Sequence, residues 1–128
     1  MSWYKKAQAF IEQENLPDRT RILLKDGDKQ VGKLTIQEFA LDKNRYYIRA
    51  FFIEPEYRNK GWGTRMMELV KRLPKYQDRP IVLHPEPYDD NIGSEEYDKD
   101  TEGLKEMYRK MGFNDLTEEH GWMEYNSV

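Results

Sequence analysis

The chain has 128 residues, of which 38% are hydrophobic and 35% charged, with a formal net charge of −3. This length favours a single domain over residues 1–128, and three Trp, nine Tyr and five Phe argue against disorder. There is no strongly basic footprint for nucleic acid, no cysteine for a disulfide or thiol nucleophile, and no apolar run near the roughly 20 residues of a membrane span. We therefore expect a cytoplasmic protein, monomeric or homodimeric, without a nucleic-acid or membrane partner.

The first stretch predicts a short helix. Ser2 is a suitable N-cap, and Trp3, Ala7, Phe10 and Ile11 recur at steps of three and four residues. Pro17 then ends the segment. We interpret residues 1–17 as an N-terminal helix or arm.

The next stretch predicts an antiparallel meander. Asp26 and Gly27 separate two apolar runs, which is a strong hairpin signal. In the second run the apolar phase changes near residues 37–38, which predicts a bulge there. Residues 45–53 are apolar on both faces, so we expect them to form a central, buried strand.

A polar corner follows that strand and opens a helical pattern. Residues 58–63 read Arg-Asn-Lys-Gly-Trp-Gly, and a helix is predicted over residues 63–73. Glycines let the backbone approach a ligand closely, and the first helical turn presents N–H groups to an anion. The spacing fits neither a P-loop nor the Gly-x-Gly-x-x-Gly dinucleotide fingerprint, because Lys does not follow Gly63 and position 66 is Met.

The remaining elements complete an α/β pattern with a mixed sheet. Residues 79–84 predict a strand that lies parallel to the 45–53 strand, since a helix connects the two by a crossover. A long acidic loop over residues 85–100 precedes a helix that ends near Met111. Closing strands are predicted over residues 113–116 and 122–125.

Two motifs in this order resemble the GNAT family of acyl-CoA-dependent N-acetyltransferases. Residues 58–63 match Arg/Gln-x-x-Gly-x-Gly/Ala, the family's pyrophosphate-binding signature, and Ile53-Glu54-Pro55 is similar to its Val-x-Pro strand end. Residues 108–113 match its Tyr-x-x-x-Gly-Phe segment on the last helix. The resemblance covers about residues 20–125. It departs from the family in the short stretch before the hairpin and in Thr101 and Leu104, where the family often has Asn and Ala.

The resemblance implies a GNAT-like acyl-CoA N-acyltransferase fold and direct acetyl transfer from acetyl-CoA to a primary amine. It implies that the pantetheine arm enters a splay beside Phe52 and Ile53, where one backbone N–H polarises the thioester carbonyl. Tyr108 is then the general acid for the leaving thiolate. The implied cofactor-binding residues are Phe52, Ile53, Arg58, Asn59, Lys60, Gly61, Trp62, Gly63 and Thr64.

The general base remains open between several residues. His84 ends its strand beside the expected cleft, and an imidazole titrates near neutral pH. Glu86 and Tyr47 are weaker candidates, and neither His84 nor His120 has neighbours at metal-ligand spacing. The acidic loop favours a cationic acceptor, through Asp89, Asp90, Glu95 and Glu96.

Two other functions remain compatible with the sequence. The first is a non-catalytic GNAT-fold module that binds acyl-CoA or a partner protein. The second is an unrelated α/β interaction domain whose corner binds an anion incidentally. A splay in the sheet beside Ile53 distinguishes the GNAT-like interpretations from this last one.

Overall fold

The computed structural model describes residues 9–85, 101–116 and 121–126. A seven-stranded mixed sheet carries two helices in this part of the chain. The elements in chain order are β1 Ala9–Leu16, β2 Arg19–Asp26, β3 Lys29–Glu38, β4 Tyr46–Ile53, α1 Trp62–Lys71, β5 Ile81–Leu83, α2 Thr101–Lys110, β6 Asn114–Asp115 and β7 Met123–Tyr125.

The sheet order is β1-β2-β3-β4-β5-β7-β6, so β4 lies in the middle. Neighbouring strands are antiparallel except β4 and β5, which are parallel and joined through α1. The predicted meander, central strand, crossover, helix and closing strands are therefore confirmed. Gly27 begins the β2–β3 turn with φ 61°, a left-handed conformation that glycine adopts at little cost.

The predicted N-terminal helix is wrong over residues 9–14. This stretch belongs to β1, which pairs antiparallel with β2 along its whole length. Ala9 and Ile11 pack against the core, whereas Phe10 between them is 42% exposed. This alternation has period two, and pairing with the edge of β2 satisfies backbone groups that a lone short helix would leave at its ends. Residues 1–8 of the predicted helix lie outside the described residues.

The predicted bulge is displaced to the neighbouring strand. Thr35 faces Ala50 and Ile36 faces Ile48, so Arg49 of β4 is the extra residue. Its insertion lets Ile48 and Phe51 both point into the core although they are three residues apart. The apparent change of phase near residues 37–38 arises because β3 ends at Glu38, and Leu41 beyond it is 84% exposed.

Both helices pack on the same side of the sheet, which we call the helix face. A Cβ added at Gly63 of α1 would lie 3.4 Å from Phe51 Cζ and 3.8 Å from Met111 Cε, just after α2. The buried stripe of α1 consists of Trp62, Met66, Met67 and Val70, at helical spacing. Neither α1 nor α2 has the length and apolar character needed to cross a membrane.

Strands β4 and β5 separate soon after they meet. They pair only at Tyr46 with Ile81 and at Tyr47 with Val82, although β4 continues to Ile53. The β5-side edge of β4 beyond Tyr47 therefore borders a gap in the sheet, which is the predicted splay. Because β4 points toward residues 54–61, this gap opens toward the polar corner.

Candidate functional site

The corner after β4 is built from a proline turn and two left-handed residues. Pro55–Tyr57 form a single 3₁₀ turn, and Asn59 and Gly61 then adopt φ values of 61° and 88°. Asparagine and glycine are the residues that adopt this conformation most readily. Their sequence positions therefore explain why the chain can turn sharply from β4 into α1.

The N-terminus of α1 faces outward without a capping side chain. The first internal bond runs from the Arg65 N–H to the Gly61 carbonyl at 3.0 Å, so the amides of Gly63 and Thr64 have no acceptor within the helix. Gly61, the N-cap, has no side chain that could cap them. Unsatisfied amides and the helix dipole together favour a bound anion at this point.

The two cations of the corner occupy different positions. Arg58 is only 6% exposed, and its Nε donates to the Ile53 carbonyl at 2.7 Å while its guanidinium lies 5.0 Å above the Phe52 ring. Lys60 is exposed, and its Nζ donates to the Glu56 carbonyl at 2.9 Å. Arg58 thus fastens the corner to the end of β4, and both charges remain beside the helix N-terminus.

A cleft of about 160 Å³ lies between the corner, the end of β4 and α2. Its floor is formed by Phe51 and Ile53, and Met107 of α2 and Met111 just after α2 also line it. Neither methionine was among the predicted site residues. Their i, i+4 spacing, with Tyr108 between them, was the signal that could have assigned them to the site. The cleft is lined by Phe51, Ile53, Arg58, Asn59, Gly61, Gly63, Thr64, Met107 and Met111.

The remaining predicted cofactor residues lie beside the cleft. Trp62 is 6% exposed and packs edge-on against Tyr57, with ring centroids 5.6 Å apart. Phe52 points to the opposite face of the sheet from its neighbours Phe51 and Ile53, beneath Arg58. These two rings pack against residues of the corner, Phe52 against Arg58 and Trp62 against Tyr57.

Tyr108 lies directly behind the wall of the cleft. It is 8% exposed, and its ring centroid is 6.2 Å from that of Phe51 and 5.9 Å from that of Phe113. Its carbonyl accepts hydrogen bonds from the N–H groups of Met111 and Phe113, each 3.0 Å long. The turn at Gly112, with φ 102°, thus holds the end of α2 against the sheet.

The edge of β4 that borders the gap carries Ile53. The Glu54 N–H donates to Val31 of β3 at 2.8 Å, and successive residues of a strand point their backbone groups to alternate sides. The N–H and carbonyl of Ile53 are therefore turned toward the gap, where the carbonyl accepts the bond from Arg58. A backbone donor thus lies between the cleft and the gap.

His84 lies on the face of the sheet opposite the helices. It follows β5 in the phase of Val82, its ring packs edge-on against Trp122 at 5.1 Å, and its Nδ1 is buried. Tyr108 lies on the helix face, so the two predicted catalytic residues are on opposite sides of the gap. Tyr47 is on the same side as His84. Glu86, His120 and the acidic side chains of residues 89–96 lie outside the described residues.

Most of the chain matches a known family domain. The domain described as "Acetyltransferase (GNAT) domain" matches residues 17–115. This span includes β2 to β5, the corner, both helices and β6. No curated protein sequence matches the chain significantly.

Solved structures with the same fold share little sequence identity with the chain. An acetyltransferase from Thermus thermophilus is 17% identical with a TM-score of 0.62, over 84% of this chain and 64% of that one. A Bacillus subtilis acetyltransferase solved with CoA is 11% identical with a TM-score of 0.65, over 94% and 99% of the two chains. The PaiA N-acetyltransferase of Thermoplasma acidophilum, solved with coenzyme A, is 19% identical with a TM-score of 0.54, over 85% and 61%.

The chain spans somewhat less than two thirds of the length of several of these structures, including those from T. thermophilus and T. acidophilum. The likeness to them nevertheless extends over most of the present chain and shows a common fold. The domain match covers residues 17–115, well over half of the chain, and shows that the chain belongs to the GNAT acetyltransferase family.

Proposed function

We propose that this protein is an acetyl-CoA-dependent N-acetyltransferase that transfers an acetyl group directly to a primary amine. The observation that carries this proposal is the N-terminus of α1, which opens at Gly61 onto a cleft that ends at Ile53. The amides at the N-terminus of α1 and the backbone N–H of Ile53 therefore border the same cleft. This is the arrangement that a long substrate with a diphosphate and a thioester requires.

Acetyl-CoA fits the residues present. The amides of Gly63 and Thr64 would hold its diphosphate, and Gly61, the N-cap, has no side chain that would cover them. Arg58 and Lys60 add positive charge, and Phe52 and Trp62 support the corner. That the B. subtilis and T. acidophilum relatives were solved with CoA or coenzyme A agrees with this assignment.

Acetyl-CoA supplies an acetyl group activated as a thioester. The Ile53 N–H donates to the carbonyl oxygen, where negative charge develops as the amine nitrogen attacks. A C–N bond forms, the C–S bond breaks, and Tyr108 gives its phenolic proton to the departing thiolate. A phenol, with pKa about 10, is a weaker acid than a thiol, with pKa about 8.5, so complete proton transfer to the thiolate is slightly unfavourable. Partial transfer at the transition state already stabilises the departing sulfur.

The acceptor amine must lose a proton before or during attack. We propose His84 as the group that accepts it from the side of the sheet opposite Tyr108. Its Nε2 faces Gly121, where an added Cβ would lie 2.9 Å away. Glycine at this position therefore lets the chain pass closely beside the imidazole. The acidic sequence between residues 86 and 100 supports a cationic acceptor. We further propose that the protein is a cytoplasmic monomer or homodimer.

The test measures cofactor binding and turnover separately. Calorimetric titration with CoA should give a saturable binding curve, and acetyl-CoA with a panel of primary amines should release CoA. Gly61→Glu should weaken CoA binding by at least about tenfold, because it places bulk and negative charge at the helix N-terminus. Absence of both CoA binding and CoA release in the wild type would refute the proposal.

A matched control is available at Gly27. It has a similar left-handed backbone, with φ 61°, and an added Cβ there would meet nothing within 4 Å. Gly27→Glu therefore imposes a comparable backbone strain and the same charge at a turn far from the cleft. It should leave CoA affinity unchanged.

A non-catalytic module that binds acyl-CoA or a partner protein is the second candidate. The burial of Tyr108 favours it, because this residue is only 8% exposed and is not among the residues that line the cleft. Such a module would bind CoA without releasing it from acetyl-CoA in the presence of any amine.

A further inference from the structure

Four aromatic side chains form a continuous surface on the sheet face opposite the helices. We call Phe39, Tyr47, His84 and Trp122 the aromatic wall. Trp122 is its centre, with ring centroids 5.1 Å from Phe39, 5.5 Å from Tyr47 and 5.1 Å from His84. Phe39 and Tyr47 are 5.5 Å apart. All four are half-buried, so part of each ring remains accessible.

The aromatic wall stands at the mouth of the gap between β4 and β5. Tyr47 and Val82 form the last pair of these strands, so the gap begins immediately beyond Tyr47. His84 follows Val82 by two residues and therefore lies on the same face. Under the proposed function, the thioester reaches the gap from the helix face, and the acceptor approaches from the face that carries the wall.

The two carboxylates beside the wall share one guanidinium. Glu124 of β7 pairs with Val82 in the sheet, and its Oε2 lies 2.9 Å from Arg45 Nε. Arg45 also lies 3.5 Å from Asp42. In the described part of the chain, both carboxylates are thus held by Arg45, and the wall itself offers ring faces and edges to a ligand.

From this arrangement we infer that the protein selects an acceptor amine carried on an aromatic ring by a short alkyl chain. The ring packs against Trp122 and Tyr47, and the amine reaches the gap that begins beside Tyr47. Aromatic rings gain from offset or edge-to-face contacts beyond the burial of their area. A saturated ring of similar size gains only the burial. This inference deepens the proposed function and rests on it.

The test compares 2-phenylethylamine with 2-cyclohexylethylamine, which share the charge and the tether and differ in the aromatic character of the ring. Calorimetric titration into the protein saturated with CoA should show tighter binding of the aromatic amine by about three- to tenfold. The ratio of kcat/KM values with acetyl-CoA should favour it to a similar degree. Spermidine serves as the cationic acceptor without a ring.

Variants assign this preference to the wall. Trp122→Leu should reduce the preference to near unity and leave CoA affinity unchanged, whereas Trp122→Phe should retain most of it. Phe39→Leu gives a second test if Trp122→Leu is poorly folded. Phe10→Leu is the control, because Phe10 is an exposed ring on the edge strand β1, five strands of the sheet away from β7.

The outcomes separate this inference from the proposed function. If the protein binds CoA, three outcomes would overturn the inference alone. They are equal affinity for the two ring-bearing amines, a preference for spermidine, and no binding of any of the three amines. A preference that persists in Trp122→Leu and Phe39→Leu would overturn the assignment to the wall. Absence of CoA binding would refute the proposed function, and with it the inference.

Discussion

Tyr108 packs against Phe51, which itself lines the cleft, with ring centroids 6.2 Å apart. If Tyr108 protonates the departing thiolate, Tyr108→Phe removes the proton donor and keeps the ring. We expect kcat to fall by about 100-fold or more, in the range typical of a general acid, with CoA affinity within about twofold of wild type. Steady-state kinetics and calorimetry measure the two quantities.

Tyr76→Phe is the control for this prediction. Tyr76 is another buried tyrosine, 2% exposed, in the connection between α1 and β5. Its substitution should leave kcat unchanged. A Tyr108→Phe protein with wild-type turnover would show that the phenol is not the acid, and one without turnover or CoA affinity would indicate a structural role.

At the scale of elements, Lys71 joins the two helices of the site. Its Nζ donates to the Met111 carbonyl at 2.6 Å and lies 4.3 Å from the centre of the Tyr125 ring, and its side chain is 12% exposed. Lys71→Met keeps most of the aliphatic stem and removes the donor. We expect a loss of about 1–3 kcal/mol in the free energy of unfolding, because the carbonyl loses a charged, half-buried partner.

The same substitution should also affect catalysis. The turn that Lys71 holds follows Tyr108 directly, so kcat should fall while the KM for acetyl-CoA stays near its wild-type value. Arg72→Met is the matched control, since Arg72 is 69% exposed and pairs loosely with Glu68 at 3.7 Å. It should change stability by less than about 0.5 kcal/mol. Equal losses in the two variants, measured by urea unfolding, would contradict this role of Lys71.

At the scale of the whole molecule, Tyr46 links the central strand β4 to the segment between α1 and β5 through hydrogen bonds. Its hydroxyl lies 2.9 Å from both the Lys75 carbonyl and Asp78 Oδ1. Burial, followed by the hydrogen bond to Asp78, raises the pKa of Tyr46 from 10.0 to about 12. Because the folded state holds this proton more tightly, the stabilisation is complete below pH 10 and is lost as pH rises toward 12.

This linkage predicts a difference between wild type and Tyr46→Phe in alkaline solution. Between pH 10 and 12 the free energy of unfolding of the wild type should fall by up to about 2–3 kcal/mol more than that of the variant. Lysine deprotonation is common to both proteins and cancels in the comparison. Parallel stability curves from chemical unfolding across this range would show that Tyr46 does not contribute in this way.

The whole molecule also divides the proposed reaction between two faces. The helix face carries the proposed anion site and Tyr108, and the opposite face carries His84 and the aromatic wall. The gap between β4 and β5 is the route that joins them. A direct transfer without a covalent enzyme intermediate is compatible with this division, because each substrate can reach the gap from its own side.

Local patterns in the sequence determined the element order, the central position of β4 and the polar corner. The hairpin at Gly27, the two glycines of residues 58–63 and the helical stripe of α1 are all local features, so a single chain segment specifies each one. The motifs at residues 58–63 and 108–113 were sufficient to indicate the family that the domain match then showed. For these features, backbone preference and hydrophobic spacing point to the same structure.

Only the tertiary structure decided which contacts these elements make. The strand β1 replaced the expected helix because its backbone could pair with the edge of β2, and the bulge moved to Arg49 because β4 must match both β3 and the core. The burial of Arg58 against Ile53 and the assembly of the aromatic wall from four separate segments depend on contacts between residues distant in the chain. Such contacts are set by the packing of the whole sheet, and no local pattern encodes them.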